Sequence, residues 1–325
     1  MLNIGILGIG HLGKIHLKLL TELNDLYNVV GFIDPSDKHA QLVMEEFNVK
    51  RYHNIHALIS DSDCIDIVTP TPFHYSIAQE VIKAGKPVFI EKPITDKIHE
   101  AESLLKLSIE KNILIQVGHV ERFNPSFIEA KKYLKQPMFI ETHRLAQFNP
   151  RGTDVPVVLD LMIHDIDIVL SVVNSRVRKI SASGVSVVSD SNDIANARIE
   201  FENGCVANLT ASRISLKNMR KSRFFQRDAY VSVDFLTKEL EVVQMEDIQD
   251  TPDEFDIVFD PGNGKVKKRI LFNKPEINQS NAIKDELISF YNSIVNKKPP
   301  VVSGEHGLRS LEVANAIMDC MKKTD

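Results

Sequence analysis

Short apolar runs alternate with longer amphipathic stretches through the first third of the chain, and that alternation sets the expected fold. Residues 2–7 read as a strand, followed by a helical pattern through Ile15, Leu19, Leu20 and Leu23, and then by a second strand at 29–33. A helix over 38–47 leads to a strand at 65–69. A helix around Ile77, Val81 and Ile82 ends at Gly85, whose lack of a Cβ suits a left-handed cap. A strand that starts at Val88 and ends in Glu91, Lys92 and Pro93, a helix carrying Ala101, Leu104, Leu105 and Ser108 on one side, and the strand 113–117 complete the series. Strands separated by helices of this length form a parallel, doubly wound α/β sheet of the Rossmann type.

The pattern changes after Gly118. Residues 118–125 form a polar and aromatic hinge, so one domain is expected over 1–118 and a second over 119–325. A helix over 126–134, a strand over 138–145, a loop over 146–156 and a helix over 157–173 come first. Beyond them the period becomes two: Ala197, Ile199 and Phe201 alternate with Asn196, Arg198 and Glu200, and Asn203-Gly204 marks a hairpin before Cys205, Ala207 and Leu209. Further turns are expected at Thr237-Lys238 and around Gly262 and Gly264. The second domain is therefore an α+β unit with a mostly antiparallel, open-faced sheet and helices on one face. The free face suits a homodimer or homotetramer interface. Two closing helices carry core stripes, Ile283, Leu287, Phe290 and Ile294 on one and Leu308, Leu311, Ala314, Met318 and Met321 on the other.

Composition narrows the function classes. With 325 residues, 43% of them apolar, the chain can fill two cores, and its net charge of −5 offers no global basic field for nucleic acid or an anionic membrane. Cys64, Cys205 and Cys320 are too scattered for a disulfide framework or a CxxC metal site. No secretory leader pattern opens the sequence and no run is long enough to span a membrane, so a cytoplasmic protein is expected.

The candidate chemistry begins at Gly8-Ile-Gly10-His11-Leu12-Gly13, a glycine turn between strand and helix. A pyrophosphate needs close backbone approach and a helix N-terminus pointing at it. Asp34, 21 residues beyond Gly13 at the end of the second strand, is placed to accept from adenosine ribose hydroxyls. It would repel a 2′-phosphate, which favours NAD over NADP, although Ser36 and Lys38 nearby leave NADP as the alternative. Lys92 follows a buried strand and precedes Pro93, which stops the ladder there, so the lysine falls at the carboxyl edge where α/β sheets bind ligands. Thr69, Pro70, His74 and Glu91 fall at the same edge and complete the candidate cofactor contacts, with helix capping an equal reading for His74. In the second domain Asp160 and His164 stand at i and i+4 with Asp167 three further on. They read as a general acid/base and its orienting carboxylate, or as an ordinary exposed pair. A metal site is set aside, because no third ligand has motif spacing.

The glycine turn, Glu91-Lys92-Pro93 and Asp160-x-x-x-His164-x-x-Asp167 occur in the order and spacing of the glucose-fructose oxidoreductase, inositol dehydrogenase and MocA (Gfo/Idh/MocA) family, which the whole chain resembles. The resemblance implies an NAD(P)-dependent oxidoreductase moving hydride between nicotinamide and a hydroxyl-bearing carbon of a sugar, polyol or nucleotide sugar. It implies that Lys92 contacts the reacting oxygen, that His164 moves the proton and that Asp160 supports them. An NAD-dependent glycosidase with transient oxidation and a non-catalytic dinucleotide sensor are the family's alternatives. Where many relatives have a glycine-rich run, this chain has Phe148-Asn-Pro-Arg-Gly-Thr-Asp-Val-Pro156, so the substrate loop differs. The surroundings of Asp160 and His164 also resemble members that oxidise the 3-hydroxyl of UDP-N-acetylglucosamine. Arg122, Arg144 and Arg151 are the candidate substrate contacts, and Arg213, Lys217, Arg220, Lys221, Arg223 and Arg227 form either a solvated loop or a receptor for a diphosphate.

Overall fold

The structure is a computed structural model that describes residues 1–149, 155–249 and 256–322. Along the chain run β1 (Leu2–Leu7), α1 (His11–Glu22), β2 (Tyr27–Ile33), α2 (Asp37–Phe47), α3 (Ile55–Asp61), β3 (Cys64–Ile67), α4 (His74–Lys83), β4 (Val88–Glu91), α5 (Ile98–Lys111) and β5 (Ile115–Gly118). Then come α6 (Pro125–Ala130), β6 (Phe139–Leu145), α7 (Ile163–Val172), β7 (Val177–Val185), β8 (Ile194–Phe201), β9 (Val206–Ser212), β10 (Met219–Gln226), β11 (Ala229–Asp234), β12 (Glu239–Asp247), β13 (Ile257–Phe259), β14 (Lys268–Asn273), α8 (Ala282–Val295) and α9 (Gly304–Lys322).

These elements group into two compact units, Met1–Phe123 with Ser280–Glu312, and Asn124–Gln279 with Val313–Asp325. The first crossing falls close to the expected boundary after Gly118. The return of Ser280–Glu312 to the first unit differs from the expected division, and the reason is packing. Leu287 and Phe290 of α8 share a core with Ile4, Ile6, Leu17, Leu20, Phe32 and Phe89. The Tyr27 hydroxyl donates to Leu287 O at 2.8 Å and Gln116 Nε2 to Glu286 O at 3.0 Å, which ties the helix to β2 and β5.

The first unit is a five-stranded sheet of order β2-β1-β3-β4-β5, parallel throughout. β3 and β4 are buried at every position, as sheets covered on both faces require. The order reverses between β1 and β3, and ligands of such sheets gather outside the carboxyl ends at that reversal. Gly8, Asp34, Thr69, Lys92 and Gly118 all lie at those ends.

The second unit is a nine-stranded sheet of order β13-β14-β12-β11-β10-β6-β9-β8-β7, in which β6 and β9 pair parallel and the other neighbours antiparallel. Ile140, Ala197, Ile199, Leu209, Phe224, Val231 and Val242 alternate inward against Phe127, Ile166, Val169 and Ile317 of the helices. The opposite face carries Glu141, Arg223, Phe139, Phe225 and Tyr230. Ring centroids there lie 5.8 Å apart for Phe139 and Phe225, and 5.1 Å for Phe225 and Tyr230. The expected helix over 157–173 resolves into a π turn, Val158–Met162, followed by α7.

Candidate active site

The glycine turn is built from backbone that side chains would obstruct. Gly8 has φ +94°, and a Cβ on it would lie 2.7 Å from Val68 O. Gly10 caps α1 with no side-chain hydrogen bond and no acidic residue follows in the first turn, so the helix N-terminus keeps its positive end. A Cβ on Gly10 would meet nothing within 4 Å, which leaves room for a phosphate against the main chain. Asp34 is nearly buried; its Oδ2 accepts from Ile9 N–H and its Oδ1 from Ser36 N–H, each at 2.8 Å, so the end of β2 is clamped to the glycine turn. The Thr69 hydroxyl, in the turn packed on Gly8, is buried without a hydrogen-bond partner. A cradle with an orphaned hydroxyl, an open Gly10 and a fixed carboxylate fits a dinucleotide. His11 and Pro70 are exposed on its rim and Leu12 is half-buried.

Ser36 accepts from His39 N–H at 3.3 Å and so caps α2, and Lys38 is exposed. Arg51 escaped the sequence reading. Its Nη2 donates to the main-chain carbonyl of Asp34 at 2.8 Å and its Nη1 to Asp37 at 2.6 Å, so a cation stands at the end of β2.

His74 is buried, with Nδ1 2.9 Å from Pro93 O and Nε2 2.8 Å from Thr69 O. Burial lowers its pKa, opposed by those carbonyls, and the ring acts as a strut between the turns after β3 and β4. Lys92 is half-buried at the end of β4, and its peptide to Pro93 is cis. Its N–H donates to Glu91 Oε2 at 3.1 Å. Behind Glu91 lie two residues that the sequence reading missed. His16 Nε2 stands 3.3 Å from Glu91 Oε1, and His16 Nδ1 stands 2.9 Å from Asp66 Oδ2. Their faint sequence signals were a histidine on the apolar side of α1 and an acid inside an apolar strand.

In the second unit, the π turn holds Asp160 and the first turn of α7 holds His164, both half-buried. A π turn shifts the residues before it around the helix axis and is frequent at functional sites. Asp165, the neighbour of His164, forms a two-point pair with Arg144 of β6, at 3.0 Å from Nε and 2.9 Å from Nη2. Both are buried. The expected substrate contact Arg144 thus has its guanidinium engaged in fixing α7 on the sheet. Asp167 is buried as well. Arg213 is buried and donates from Nη2 to Val155 O, holding the chain that enters the π turn. Arg122 is buried in a short 3-10 turn of the first unit, and Arg151 lies outside the described residues. The basic segment is not one patch. Arg213 is interior, Arg220 and Lys221 alternate to opposite faces of β10, and Arg223 pairs with Glu141 at 3.3 Å on the open face. Among the described residues no group of three His, Cys, Asp or Glu side chains is arranged to hold a metal ion.

Residues 2–119 match the family described as "Oxidoreductase family, NAD-binding Rossmann fold", and residues 139–227 match the "GFO/IDH/MocA C-terminal domain". Over 317 residues the chain is 32% identical to a UDP-N-acetylglucosamine 3-dehydrogenase of Acidithiobacillus ferrooxidans, covering 95% of this chain and 94% of that protein. The chain belongs to the Gfo/Idh/MocA family. It is an NAD-binding oxidoreductase. A solved structure of the Acidithiobacillus ferrooxidans enzyme superposes with a TM-score of 0.88 at 29% identity, covering 99% of this chain and 98% of that one. A scyllo-inositol 2-dehydrogenase (NAD(+)) of Bacillus subtilis is 26% identical over 228 residues, 65% of this chain and 67% of that protein.

Proposed function

We propose that the protein oxidises a secondary hydroxyl of a nucleotide sugar, with the 3-hydroxyl of UDP-N-acetylglucosamine as the leading substrate. The observation that carries this reading is the 32% identity over 95% of this chain to an enzyme of that name, against 23% identity to a myo-inositol 2-dehydrogenase of Thermotoga maritima over the same share of the chain. The glycine turn, Asp34 and Thr69 would hold NAD, which when bound would accept the hydride. His164 takes the hydroxyl proton as the carbon gives up its hydride, so the alcohol becomes a ketone. Lys92 donates a hydrogen bond to the reacting oxygen and offsets its developing negative charge. Asp160 orients the imidazole. Arg122 and Arg151 are proposed for the substrate's charged groups. Asp34 sets the preference for NAD over NADP.

The test is absorbance at the wavelength of reduced nicotinamide, with purified protein, NAD and a panel of sugars, polyols and nucleotide sugars. Saturable NADH formation with UDP-N-acetylglucosamine supports the reading. No turnover and no saturable binding of any nucleotide sugar in the presence of NAD would sink it, and product without net NADH would move the assignment to a glycosidase cycle. We further propose a homodimer or homotetramer assembled through the open face of the nine-stranded sheet, and a cytoplasmic location. Among the described residues no helix is long and apolar enough to cross a membrane.

A further inference from the structure

Three ionisable side chains are buried together in the first unit: His16 on α1, Asp66 on β3 and Glu91 on β4, with 0%, 0% and 8% of their surfaces exposed. They form a line. Asp66 meets one ring nitrogen of His16 at 2.9 Å, Glu91 meets the other at 3.3 Å, and the second Glu91 oxygen accepts the Lys92 N–H at 3.1 Å. The ring of Phe89 closes edge-on against His16, with centroids 5.7 Å apart. Interior charges lose the hydration that stabilises them, and packed apolar residues of similar volume usually serve stability as well. The line therefore calls for a reason other than stability. Its two ends supply one. α1 begins at the glycine turn, and Glu91 is bonded to the residue that supplies the ammonium group.

We propose that His16, Asp66 and Glu91 are positioning residues for Lys92, fixing the Glu91 carboxylate so that one oxygen anchors the Lys92 main chain and its negative charge stays beside the lysine. Asp66 holds the His16 ring by one nitrogen, which turns the other towards Glu91. The anchored N–H in turn fixes the backbone from which the Lys92 side chain departs. Gly118, facing Glu91 across the β4–β5 pairing, leaves the space that the carboxylate occupies, since a Cβ there would come within 2.7 Å of Oε1. Burial opposes charge on His16, yet Asp66 and Glu91 together raise its pKa well above the ordinary value. Burial also raises Asp66, with His16 offsetting part of the effect. Asp66 adds to the raised pKa of Tyr27 on β2 and of Cys64 on β3, and Glu91 opposes the lowering at His74 on α4. Burial favours the neutral form of each of the three.

The inference rests on Lys92 acting in catalysis, and its test separates the two ideas. Glu91→Gln, Glu91→Ala and His16→Ala are compared with the unaltered protein in two assays. In the first, NADH affinity is measured by fluorescence titration and turnover is followed with NAD and UDP-N-acetylglucosamine. Both alanine variants are expected to lose about tenfold or more in kcat, and His16→Ala, which lies behind Glu91, keeps KM and NADH affinity within about twofold. Glu91→Gln, which keeps an oxygen for the Lys92 N–H, recovers part of that loss. In the second, the lysines of the cofactor-free protein are methylated with carbon-13 label and titrated by NMR, and the Lys92 signal is identified by its absence in Lys92→Arg. The Lys92 amine is expected to titrate at lower pH in Glu91→Gln, because the neighbouring negative charge is gone. Unchanged kcat in both alanine variants, NADH affinity lost in step with kcat in His16→Ala, or an unmoved Lys92 titration would overturn the proposal. If the unaltered protein does not turn over this nucleotide sugar, the substrate assignment falls, and the Lys92 titration still decides the role of the three residues.

Discussion

Gly118 and Lys92 respond to substitution for different reasons. A methyl group at Gly118 would press on a carboxylate whose two oxygens already have partners, 3.3 Å from His16 and 3.1 Å from the Lys92 N–H, so it must turn Glu91 or move β5. Gly118→Ala is expected to destabilise by about 1–3 kcal/mol, the usual cost of overpacking, and to lower kcat. Urea unfolding together with steady-state kinetics checks both effects. Lys92→Ala and His164→Ala should each lower turnover by orders of magnitude while NAD affinity stays near its original value. Unchanged turnover in both would remove the catalytic assignment. The residues legible in the sequence were those whose chemistry demands a spacing, namely Gly8, Gly10, Gly13 and Asp34. His16, Asp66 and Arg51 were not legible, because a single polar residue in an apolar run has no spacing to betray it. Their meaning arises only when α1, β3, β4 and the chain after α2 are brought together.

Helices and strands were mostly readable because their periods differ, and the misses have local causes. α3 is two turns long, too short for a periodic stripe, although Asn54 accepts from the His56 N–H at 2.8 Å as a helix cap would. The π turn before α7 has no hydrophobic signature of its own, so residues 157–173 read as one regular helix. The Arg144–Asp165 pair holds that helix to β6. Asp165→Ala removes both carboxylate contacts of a buried guanidinium, and is expected to cost about 3–5 kcal/mol, measured by denaturant unfolding. Asp193 clamps the loop between β7 and β8, its Oδ2 accepting from the N–H groups of Val187, Val188 and Ser189 at 2.7–3.0 Å. Burial works against its charge, but these donors prevail and hold its pKa far below the ordinary carboxylate value. The folded pKa is depressed, so this stabilisation is present above the unfolded value of about 3.9 and is lost as pH falls towards the folded one. Asp193→Asn should therefore lose about 2 kcal/mol at neutral pH. The gap between the two proteins should narrow in unfolding measured near pH 3.

For the whole molecule, the change of grammar after Gly118 conveyed both architectures, since parallel and antiparallel sheets bury different fractions of their strands. It did not convey which unit receives α8, because an apolar stripe records that a helix is covered but not by what. On the open face of the second sheet, Phe225 packs at a tilt against Phe139 and Tyr230 and is partly exposed. Phe225→Glu places a charge among those rings. If assembly uses this face, sedimentation of that variant shows smaller species, and an unchanged mass would count against the assignment. The packing of α8 also bears on the order in which the protein matures. Phe89 and Tyr27 wait for Phe290, Leu287 and Tyr291, which follow only after the entire second sheet has been translated. A ribosome carrying the first five strands therefore displays an unfinished nucleotide fold, with one apolar face open to chaperones and proteases until α8 emerges from the exit tunnel.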